Sequence, residues 1–290
     1  MRYRIANAVI QLTLDSAGAE MKSLMRKSDK QEYLWCGDKK YWGRTAPVLF
    51  PIVGRVVEDH YTYDGMEYEL HQHGFARDME FELLSSEPEE IWFYLKANEE
   101  TKKKYPFDFM LQVGYRLEES SVRVMWKVIN KDQKRLYFSI GGHPAFVCPL
   151  KENEKQTDYK IQIDAKSSSL TRTNFLDGYA CHKLETILLV DGCLEITNGI
   201  FDRDALIFEN DQANKVSLMT PGGQTYLSVS FDAPVFGIWS PVGKSAPFIC
   251  IEPWYGRCDK ADFHGSLEER EWGNELAPGA EFTAEYKIEI

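Results

Sequence analysis

Two residues with side chains suited to proton transfer stand directly before a proline, each at the end of an apolar stretch. His143 lies in the segment Gly-Gly-His-Pro-Ala-Phe and Glu252 in Ile-Cys-Ile-Glu-Pro-Trp-Tyr-Gly. Because proline disfavours helical geometry in the residue before it, both side chains are expected on extended backbone. A histidine and a glutamate that the fold brings together form an acid and base pair, so the sequence points to proton-transfer chemistry.

An ordinary structural role is also open to each of these two residues. A buried histidine is commonly paired with a backbone carbonyl, although Gly141 and Gly142 leave room for another group to approach this one closely. A buried carboxylate needs a partner, a raised pKa or a polar cleft, so the glutamate is either half of a structural ion pair or a tuned base. Trp254 and Tyr255, which follow it, suit stacking on a sugar ring or ordinary core packing.

Three further segments carry polar side chains among apolar residues. Arg55 follows Phe-Pro-Ile-Val-Gly and can either donate hydrogen bonds to hydroxyl oxygens in a cleft or form a surface salt bridge. His71 and His73 have the spacing that places two rings on one face of a strand. No third ligand is near in sequence, so we expect His73 to form hydrogen bonds rather than bind metal. Asp202 and Asp204 are predicted on one side of a starting strand, where one of them can hold neighbouring hydroxyl groups; a turn cap is the other role open to Asp202.

The motifs of several enzyme classes are absent from the sequence. There is no phosphate-binding Walker loop, no dinucleotide-binding glycine motif and no nucleophile elbow, and no residue stands out as a covalent nucleophile. Cys250, Cys258 and His264 match no zinc-site spacing, so no metal is expected. The six cysteines include no Cys-x-x-Cys pair, which predicts reduced thiols. Proton-transfer chemistry without a cofactor is the class that remains.

The composition excludes other classes of partner. A net charge of −11 argues against a nucleic-acid surface, which needs a clustered basic face. It argues less strongly against an anionic substrate, because a local pair of arginines can override the overall charge. No apolar stretch is long enough to span a bilayer and the N-terminus lacks the apolar core of a signal peptide. We therefore expect a cytoplasmic protein with no membrane partner, while the oligomeric state is not fixed by the sequence.

The elements that must position the polar residues are predicted to be strands, because apolar residues recur with a period of two. The alternation is clear in 121–129 and 281–290, and it is typical of strands with one buried and one wetter face. Shorter segments with the same character predict further strands at 8–14, 66–70, 80–85, 91–97, 110–118, 135–140, 215–220, 225–231, 235–239 and 247–252.

Helical signals are sparse. One polar turn is predicted at 99–104, and Ser-Leu-Glu-Glu at 266–269 has the spacing of a capping box. The polar stretch 151–160 is interpreted as a loop, and the block 170–200 has too little periodicity to assign. Many short strands and few helices predict an all-β chain, a large antiparallel sandwich formed as one domain by residues 1–290.

Five of these segments, in this order along nearly the whole chain, resemble the aldose 1-epimerase (galactose mutarotase) family, above all the bacterial branch associated with lactose operons. The segments are Phe-Pro-Ile-Val-Gly-Arg55, His73-Gly-Phe-Ala-Arg77, Gly-Gly-His143-Pro-Ala-Phe, Phe-Asp-Arg-Asp204-Ala-Leu-Ile-Phe and Ile-Glu252-Pro-Trp. The resemblance implies a β-supersandwich with a cleft on one sheet. It also implies an isomerase that interconverts the α and β anomers of a hexose without a cofactor.

The resemblance also implies roles for individual residues. In the family a glutamate takes the proton of the C1 hydroxyl while a histidine donates one to the ring oxygen; the ring opens, the C1–C2 bond rotates, and closure inverts C1. Carried over, Glu252 is the base and His143 the acid, and Arg55, His73 and Asp204 hold the sugar, with Asp204 preferred to its neighbour two residues earlier. The side chains of the acid and the base are expected to face one cleft, several ångströms apart.

Two departures keep other functions open. The acid histidine of the main mutarotase branch stands in Asn-His-x-Tyr-Phe-Asn-Leu, whereas here it stands in Gly-Gly-His-Pro-Ala-Phe. The segment ending at Arg77 is also similar to hexose-6-phosphate 1-epimerases, in which an arginine at this position can face the phosphate. That alternative predicts a second basic residue beside Arg77. A non-catalytic carbohydrate-binding protein on the same fold is the third possibility, and it would lack one half of the acid and base pair.

Overall fold

Antiparallel strands dominate the computed structural model, which describes residues 1–290. The first twelve strands are β1 (Arg2–Ala6), β2 (Ile10–Asp15), β3 (Glu20–Arg26), β4 (Val48–Leu49), β5 (His60–Tyr63), β6 (Met66–Glu69), β7 (Glu82–Ser86), β8 (Glu90–Lys96), β9 (Phe109–Glu118), β10 (Ser121–Asn130), β11 (Leu136–Phe138) and β12 (Ile140–Gly142). The remaining strands are β13 (Ala145–Val147), β14 (Lys160–Ala165), β15 (Ser169–Leu176), β16 (Tyr179–Leu188), β17 (Cys193–Glu195), β18 (Leu206–Glu209), β19 (Ala213–Met219), β20 (Thr225–Phe231), β21 (Val235–Trp239), β22 (Phe248–Tyr255), β23 (Asn274–Leu276) and β24 (Glu281–Glu289).

Helical structure is confined to short segments. One α-helix, α1 (Glu99–Lys104), begins at Asn98, whose side chain accepts hydrogen bonds from two backbone N–H groups of the first turn. The 3₁₀ turns are Val57–Asp59, Ala76–Asp78, Gln156–Asp158 and Leu267–Glu269. None of these helices has the length and apolar character needed to cross a membrane.

Two large sheets pack face to face. One has nine strands in the order β17-β14-β19-β20-β24-β10-β9-β8-β7, and the other has eight, in the order β16-β15-β18-β21-β22-β12-β4 with β13 also paired to β22. Aromatic contacts join the two sheets: the rings of Phe231 and Phe236 are 5.4 Å apart and those of Tyr255 and Phe282 are 5.3 Å apart. The main hydrophobic cluster of 64 buried residues fills the space between them. Smaller sheets are formed by β1-β2-β3, β5-β6 and β11-β23.

Strand β22 places a buried polar residue on the outer face of the eight-stranded sheet. Alternate residues of a strand point to opposite faces, so Ile249 and Ile251 enter the main core. Cys250 and Trp254 lie on the outer face, in two small hydrophobic clusters. Both faces of this strand are therefore covered, which accounts for its apolar sequence. Glu252 shares the outer face with these two residues and is only 1% exposed.

The structure confirms the all-β prediction. The strongest sequence patterns fall on β10 and β24, and the polar turn at 99–104 is α1. The unassigned block 170–200 contains β15 and β16, which form a hairpin at the end of the eight-stranded sheet. Its alternation is weak because the pairing register shifts between Thr173 and Phe175, and such a bulge moves later side chains to the other face. All six cysteines are free.

Candidate active site

The side chains of His143 and Glu252 meet on the outer face of the eight-stranded sheet. Glu252 lies in β22 opposite Gly237, and His143 follows β12, which pairs with the same strand. Nε2 of His143 lies 3.2 Å from Oε2 of Glu252, closer than the several ångströms expected from the sequence. Both residues are buried, so the fold brings the two proton-transfer groups into direct contact away from bulk water.

The space around this pair depends on the two glycines before the histidine. A side chain at Gly141 would meet Trp254 at 2.6 Å, and one at Gly142 would meet the hydroxyl of Tyr286 at 2.9 Å. The expectation that these glycines admit a close approach is therefore met, and the approaching groups are aromatic side chains of the protein. Their packing fixes the backbone that leads into His143.

Burial shifts the pKa values of the two groups in opposite directions. Desolvation, assisted by the positive charge of Arg77, lowers the pKa of His143 to about 3. Desolvation and the negative charge of Asp204 raise the pKa of Glu252 well above its usual value. Both shifts favour the uncharged forms, with one proton on the carboxyl of Glu252, and transfer of that proton to the imidazole produces an ion pair across 3.2 Å.

Two polar atoms of this pair have no hydrogen-bond partner in the protein. Oε2 of Glu252, which lies 3.2 Å from Nε2 of His143, and Nδ1 of His143 are both buried without a hydrogen bond. Buried polar groups are nearly always hydrogen-bonded, so an unsatisfied group calls for a specific explanation. A ligand with hydroxyl groups would supply the missing partners.

His73 stands beside the pair with a defined tautomer. Its backbone adopts a left-handed conformation with φ of 67°, its N–H donates to the carbonyl of Gly54 at 2.8 Å, and the N–H of Gly54 donates to Nδ1 of His73 at 3.1 Å. Since Nδ1 is an acceptor, Nε2 carries the proton and is the free donor. The ring lies edge-on to His143, with centroids 5.7 Å apart.

The predicted placement of both histidines of this segment on one strand face is wrong. The strand ends at Glu69 and a turn at Gln72 and His73 follows, so the period of two does not continue to His73. The side chain of His71 is 67% exposed and lies 3.5 Å from Asp59. Only His73 reaches the cleft.

Arg77 and Arg44 add positive charge on the same side of the cleft. Arg77 donates to the carbonyl of Gln72 at 2.6 Å, its Nε has no partner, and burial lowers its pKa to about 10. Arg44 approaches the carbonyl of Arg77 at 3.5 Å and pairs with Asp78 at 2.7 Å. Both guanidinium groups are near enough to lower the pKa of His143. Arg44 is therefore a second basic residue beside Arg77.

The structure separates the two aspartates of the segment before β18. Asp204 lies in a turn with φ of 69°, accepts a hydrogen bond from the N–H of Ala205 at 2.8 Å, and raises the pKa of Glu252 by its charge. Asp202 is exposed and lines a different cavity. The prediction that both carboxylates share one side of a strand is wrong, because the strand begins only at Leu206.

Arg172 fixes the turn that carries Asp204. This arginine is only 4% exposed, and its guanidinium donates to the carbonyl oxygens of Arg203 and Ala205 at 3.3 and 3.4 Å. The two acceptors flank the aspartate, so the arginine holds both sides of the turn. Nothing in the local sequence pattern indicated this contact, because it joins β15 to a loop 30 residues away.

Arg55 is not in contact with the proton-transfer pair. Its guanidinium binds the carboxylate of Asp59 at 3.1 Å and lies over the ring of Tyr179, 5.7 Å from the centroid. It follows Gly54, whose backbone holds His73, and therefore stands next to the cleft. Arg55 therefore forms a salt bridge, which is the alternative role that the sequence allowed.

Two tryptophans at the site were missed by sequence reasoning. Trp42 stacks on the ring of His143 with centroids 4.7 Å apart and planes at 29°, and Trp239 meets the same ring edge-on at 5.4 Å. Trp42 lies in a loop without periodicity, so its sequence offered no signal beyond its aromatic type. Trp239 ends β21, the strand that pairs with β22.

The aromatic residues that follow Glu252 are packed within the protein. Trp254 is 5% exposed, packs over Gly141 and Gly237, and lies near enough to Glu252 for its indole N–H to lower the pKa of the carboxyl. Tyr255 points to the opposite face of the sheet, where its ring lies against Phe282. Core packing, the second role that the sequence allowed, therefore describes both residues.

Cys250 is a further neighbour of the pair that its position in β22 could have revealed. It lies two residues before Glu252 and so faces the same side of the sheet, and its sulfur lies within 4.8 Å of the ligand atoms of His143 and Glu252. Burial and the charge of Glu252 raise the pKa of the thiol well above its usual value. A thiol that stays protonated is a poor metal ligand. Cys258, grouped with it in the sequence, packs instead against Gly54.

The geometry can be set beside proteins similar to this chain. A family model described as aldose 1-epimerase matches residues 1–289. The plasmid LacX protein of Lactococcus lactis subsp. lactis is 31% identical over an alignment that covers 100% of this chain and 99% of that protein.

Solved structures match over the same length. The galactose mutarotase related enzyme of Lactobacillus acidophilus is 38% identical with a TM-score of 0.95, covering 100% of this chain and 97% of that one. A galactose mutarotase-like protein of Lactobacillus casei is 32% identical with a TM-score of 0.93, covering 100% and 99%.

Proposed function

The chain belongs to the aldose 1-epimerase family, and we propose that it interconverts the α and β anomers of a hexose by acid and base catalysis without a cofactor. One observation carries the proposal: His143 and Glu252 are buried and lie 3.2 Å apart, with polar atoms that have no hydrogen-bond partner in the protein. A structural ion pair would be closed by hydrogen bonds, whereas a catalytic pair keeps atoms free for its substrate.

The single proton held by the pair is sufficient for both directions of the reaction. When it resides on His143, Glu252 accepts the proton of the C1 hydroxyl and His143 donates to the ring oxygen, so the C1–ring oxygen bond breaks and an aldehyde forms. Rotation about the C1–C2 bond exposes the other face of the aldehyde. On closure the carboxyl returns its proton to the C1 oxygen and the imidazole recovers the other, which restores the starting state with C1 inverted.

Neighbouring side chains have the chemistry to hold the sugar. The protonated Nε2 of His73 is a donor for a hydroxyl oxygen, and the carboxylate of Asp204 is an acceptor for hydroxyl protons near the base. Arg55 would donate from its position beside Gly54, oriented by its pairing with Asp59. These three residues would orient the ring while the pair moves protons.

Polarimetry of freshly dissolved α-D-galactose and α-D-glucose tests the proposal. We expect the protein to speed the change in rotation of at least one sugar, and Glu252→Gln to abolish that gain. Glu275→Gln is the matched control, because Glu275 is exposed and pairs only with the exposed Arg135. Failure to accelerate any sugar would refute the proposal, and saturable sugar binding without turnover would identify a carbohydrate-binding protein instead.

A phosphorylated hexose is the second candidate substrate, favoured by the presence of Arg44 beside Arg77. Two guanidinium groups near the pair suit the bidentate recognition of a phosphate. If the substrate is a hexose 6-phosphate, its kcat/KM exceeds that of the free sugar, and Arg77→Met lowers kcat/KM for the phosphate ester alone. Equal losses for both sugars would contradict this candidate.

A further inference from the structure

The imidazole of His143 is held mainly by aromatic rings, with its own backbone near enough to raise its pKa. Its Nδ1 has no partner, although a catalytic histidine is commonly oriented by a hydrogen bond at the nitrogen remote from the reaction. Trp42 covers one face at 4.7 Å, while Trp239 and His73 meet the ring edge-on at 5.4 and 5.7 Å. Trp42 is the neighbour that presents its π face to the ring.

The position of Trp42 is itself fixed by a layer of aromatic contacts. The indole N–H of Trp35 donates to the backbone carbonyl of Trp42 at 2.9 Å. The ring of Trp42 also lies against Phe248 at 5.9 Å and 29° and against Trp239 at 5.8 Å and 68°. The loop between β3 and β4 is thus tied to β22, and the indole is held in place before any substrate arrives.

We propose that Trp42 is a positioning residue for the acid of this reaction: its indole face sets the plane of the His143 ring and stabilises the imidazolium form. The proposal rests on the proposed function, since a positively charged ring arises only when His143 serves as the proton donor. A cation over the face of an indole, within about 6 Å of its centroid, is attracted by the ring quadrupole, and most strongly where water is excluded.

The groups around the ring act on the imidazolium in both directions. The carboxylate of Glu252 at 3.2 Å and the backbone hydrogen bond at His143 favour it, whereas burial and the positive charges of Arg77 and Arg44 oppose it. The titratable groups that face His143 are Arg44, Arg77, His73, Cys250 and Glu252. The indole favours the charged form without adding a titratable group, so it shifts the proton toward His143 at every pH.

The test compares Trp42→Leu with Trp42→Phe and with a control in the same loop, Tyr41→Leu. Tyr41 packs edge-on against Trp35 and does not touch His143. The ratio of imidazolium to imidazole at His143 is measured by following its ring ¹⁵N shifts through a titration with acid, with and without galactose, and the signal is assigned by its loss in His143→Gln. Thermal unfolding checks that each variant is folded.

We expect Trp42→Leu to lower that ratio about three- to tenfold, the range of a cation–π contact at a buried site. It should lower kcat about tenfold or more with a smaller change in KM, since a tilted acid harms the chemical step more than binding. Trp42→Phe should recover most of both losses, and Tyr41→Leu should change neither.

An unchanged ratio in Trp42→Leu overturns the proposal whatever happens to turnover. A wild-type protein that turns over no sugar refutes the proposed function instead, and the ratio still reports the stacking.

Discussion

Strand β22 and the loop after it carry two groups of buried titratable side chains that are built in opposite ways. Glu252 lies against His143 and Trp254 and keeps Oε2 free of hydrogen bonds. Asp259, seven residues later along the chain, is bound by Arg270, whose Nε donates to Oδ1 at 2.6 Å and whose terminal nitrogen donates to the carbonyl of Arg257 at 3.0 Å. All of these side chains are buried.

The first group has the features of a ligand-binding site, and the second group, the support, stabilises a loop. Buried charges that meet several partners hold a loop in one shape, and loss of one partner leaves an uncompensated charge. A buried charge with free hydrogen-bonding capacity is costly to keep, and such cost is common where a ligand must bind. Substitutions in the first group are therefore expected to change turnover and those in the second to change stability.

The largest expected effect is on turnover at the proton-transfer pair. His143→Gln and Glu252→Gln should each lower kcat by about 10³–10⁴-fold, because each removes half of an acid and base unit. The double variant should lose little more than either single one, since the two residues act together. Polarimetry of the three variants measures this; losses that multiply in the double variant would show that the residues act independently.

The next largest effect is on folding at the support. Arg270→Met leaves Asp259 buried without its cation, so the free energy of unfolding should fall by about 3–5 kcal/mol. Urea unfolding measures this loss, and turnover per folded molecule should stay the same. Arg270→Met with Asp259→Asn is the control, and it should recover much of the loss because the buried charge is gone. If Arg270→Met is as stable as the unchanged protein, the ion pair with Asp259 does not stabilise the fold.

A smaller effect is a gain in the free energy of unfolding, where a buried substitution usually causes a loss. Because the pKa of Glu252 is raised in the folded state, its contribution to stability is present below its ordinary pKa and is lost as the pH rises toward the folded value. Glu252→Gln should therefore raise the free energy of unfolding by about 1–2 kcal/mol at neutral pH. The gain should shrink toward pH 4, as thermal unfolding across pH will reveal; a gain that grows on acidification would contradict the assigned shift.

The smallest effect concerns the pair at the edge of the cleft. Asp59→Asn removes the partner that orients Arg55, and because this pair is only half-buried we expect a KM increase of no more than about two- to fivefold. Initial rates over a range of sugar concentrations test this with kcat as the internal reference. A KM that does not move would argue that Arg55 has no part in holding the sugar.

Prediction from sequence succeeded where a local pattern carries the information. The period of two located β10 and β24, and the proline after Glu252 predicted the extended backbone found in β22. It failed where a turn interrupts the pattern, as between His71 and His73, or where a strand starts later than its apolar residues suggest, as after Asp204. In each case backbone hydrogen bonds set the end of the strand, and residue type alone does not report them.

The sequence by itself determined the antiparallel β character of the chain, the extended backbone at Glu252 and the ordered segments that resemble the aldose 1-epimerase family. Only the tertiary structure decided which residues meet, because contacts across the chain depend on strand order and on loops without periodicity. It brought His143 within 3.2 Å of Glu252, set Trp42 on the imidazole and put Arg44 beside Arg77. Burial also belongs to the folded state, and it is burial that moves the pKa values of the pair apart and leaves one proton between them.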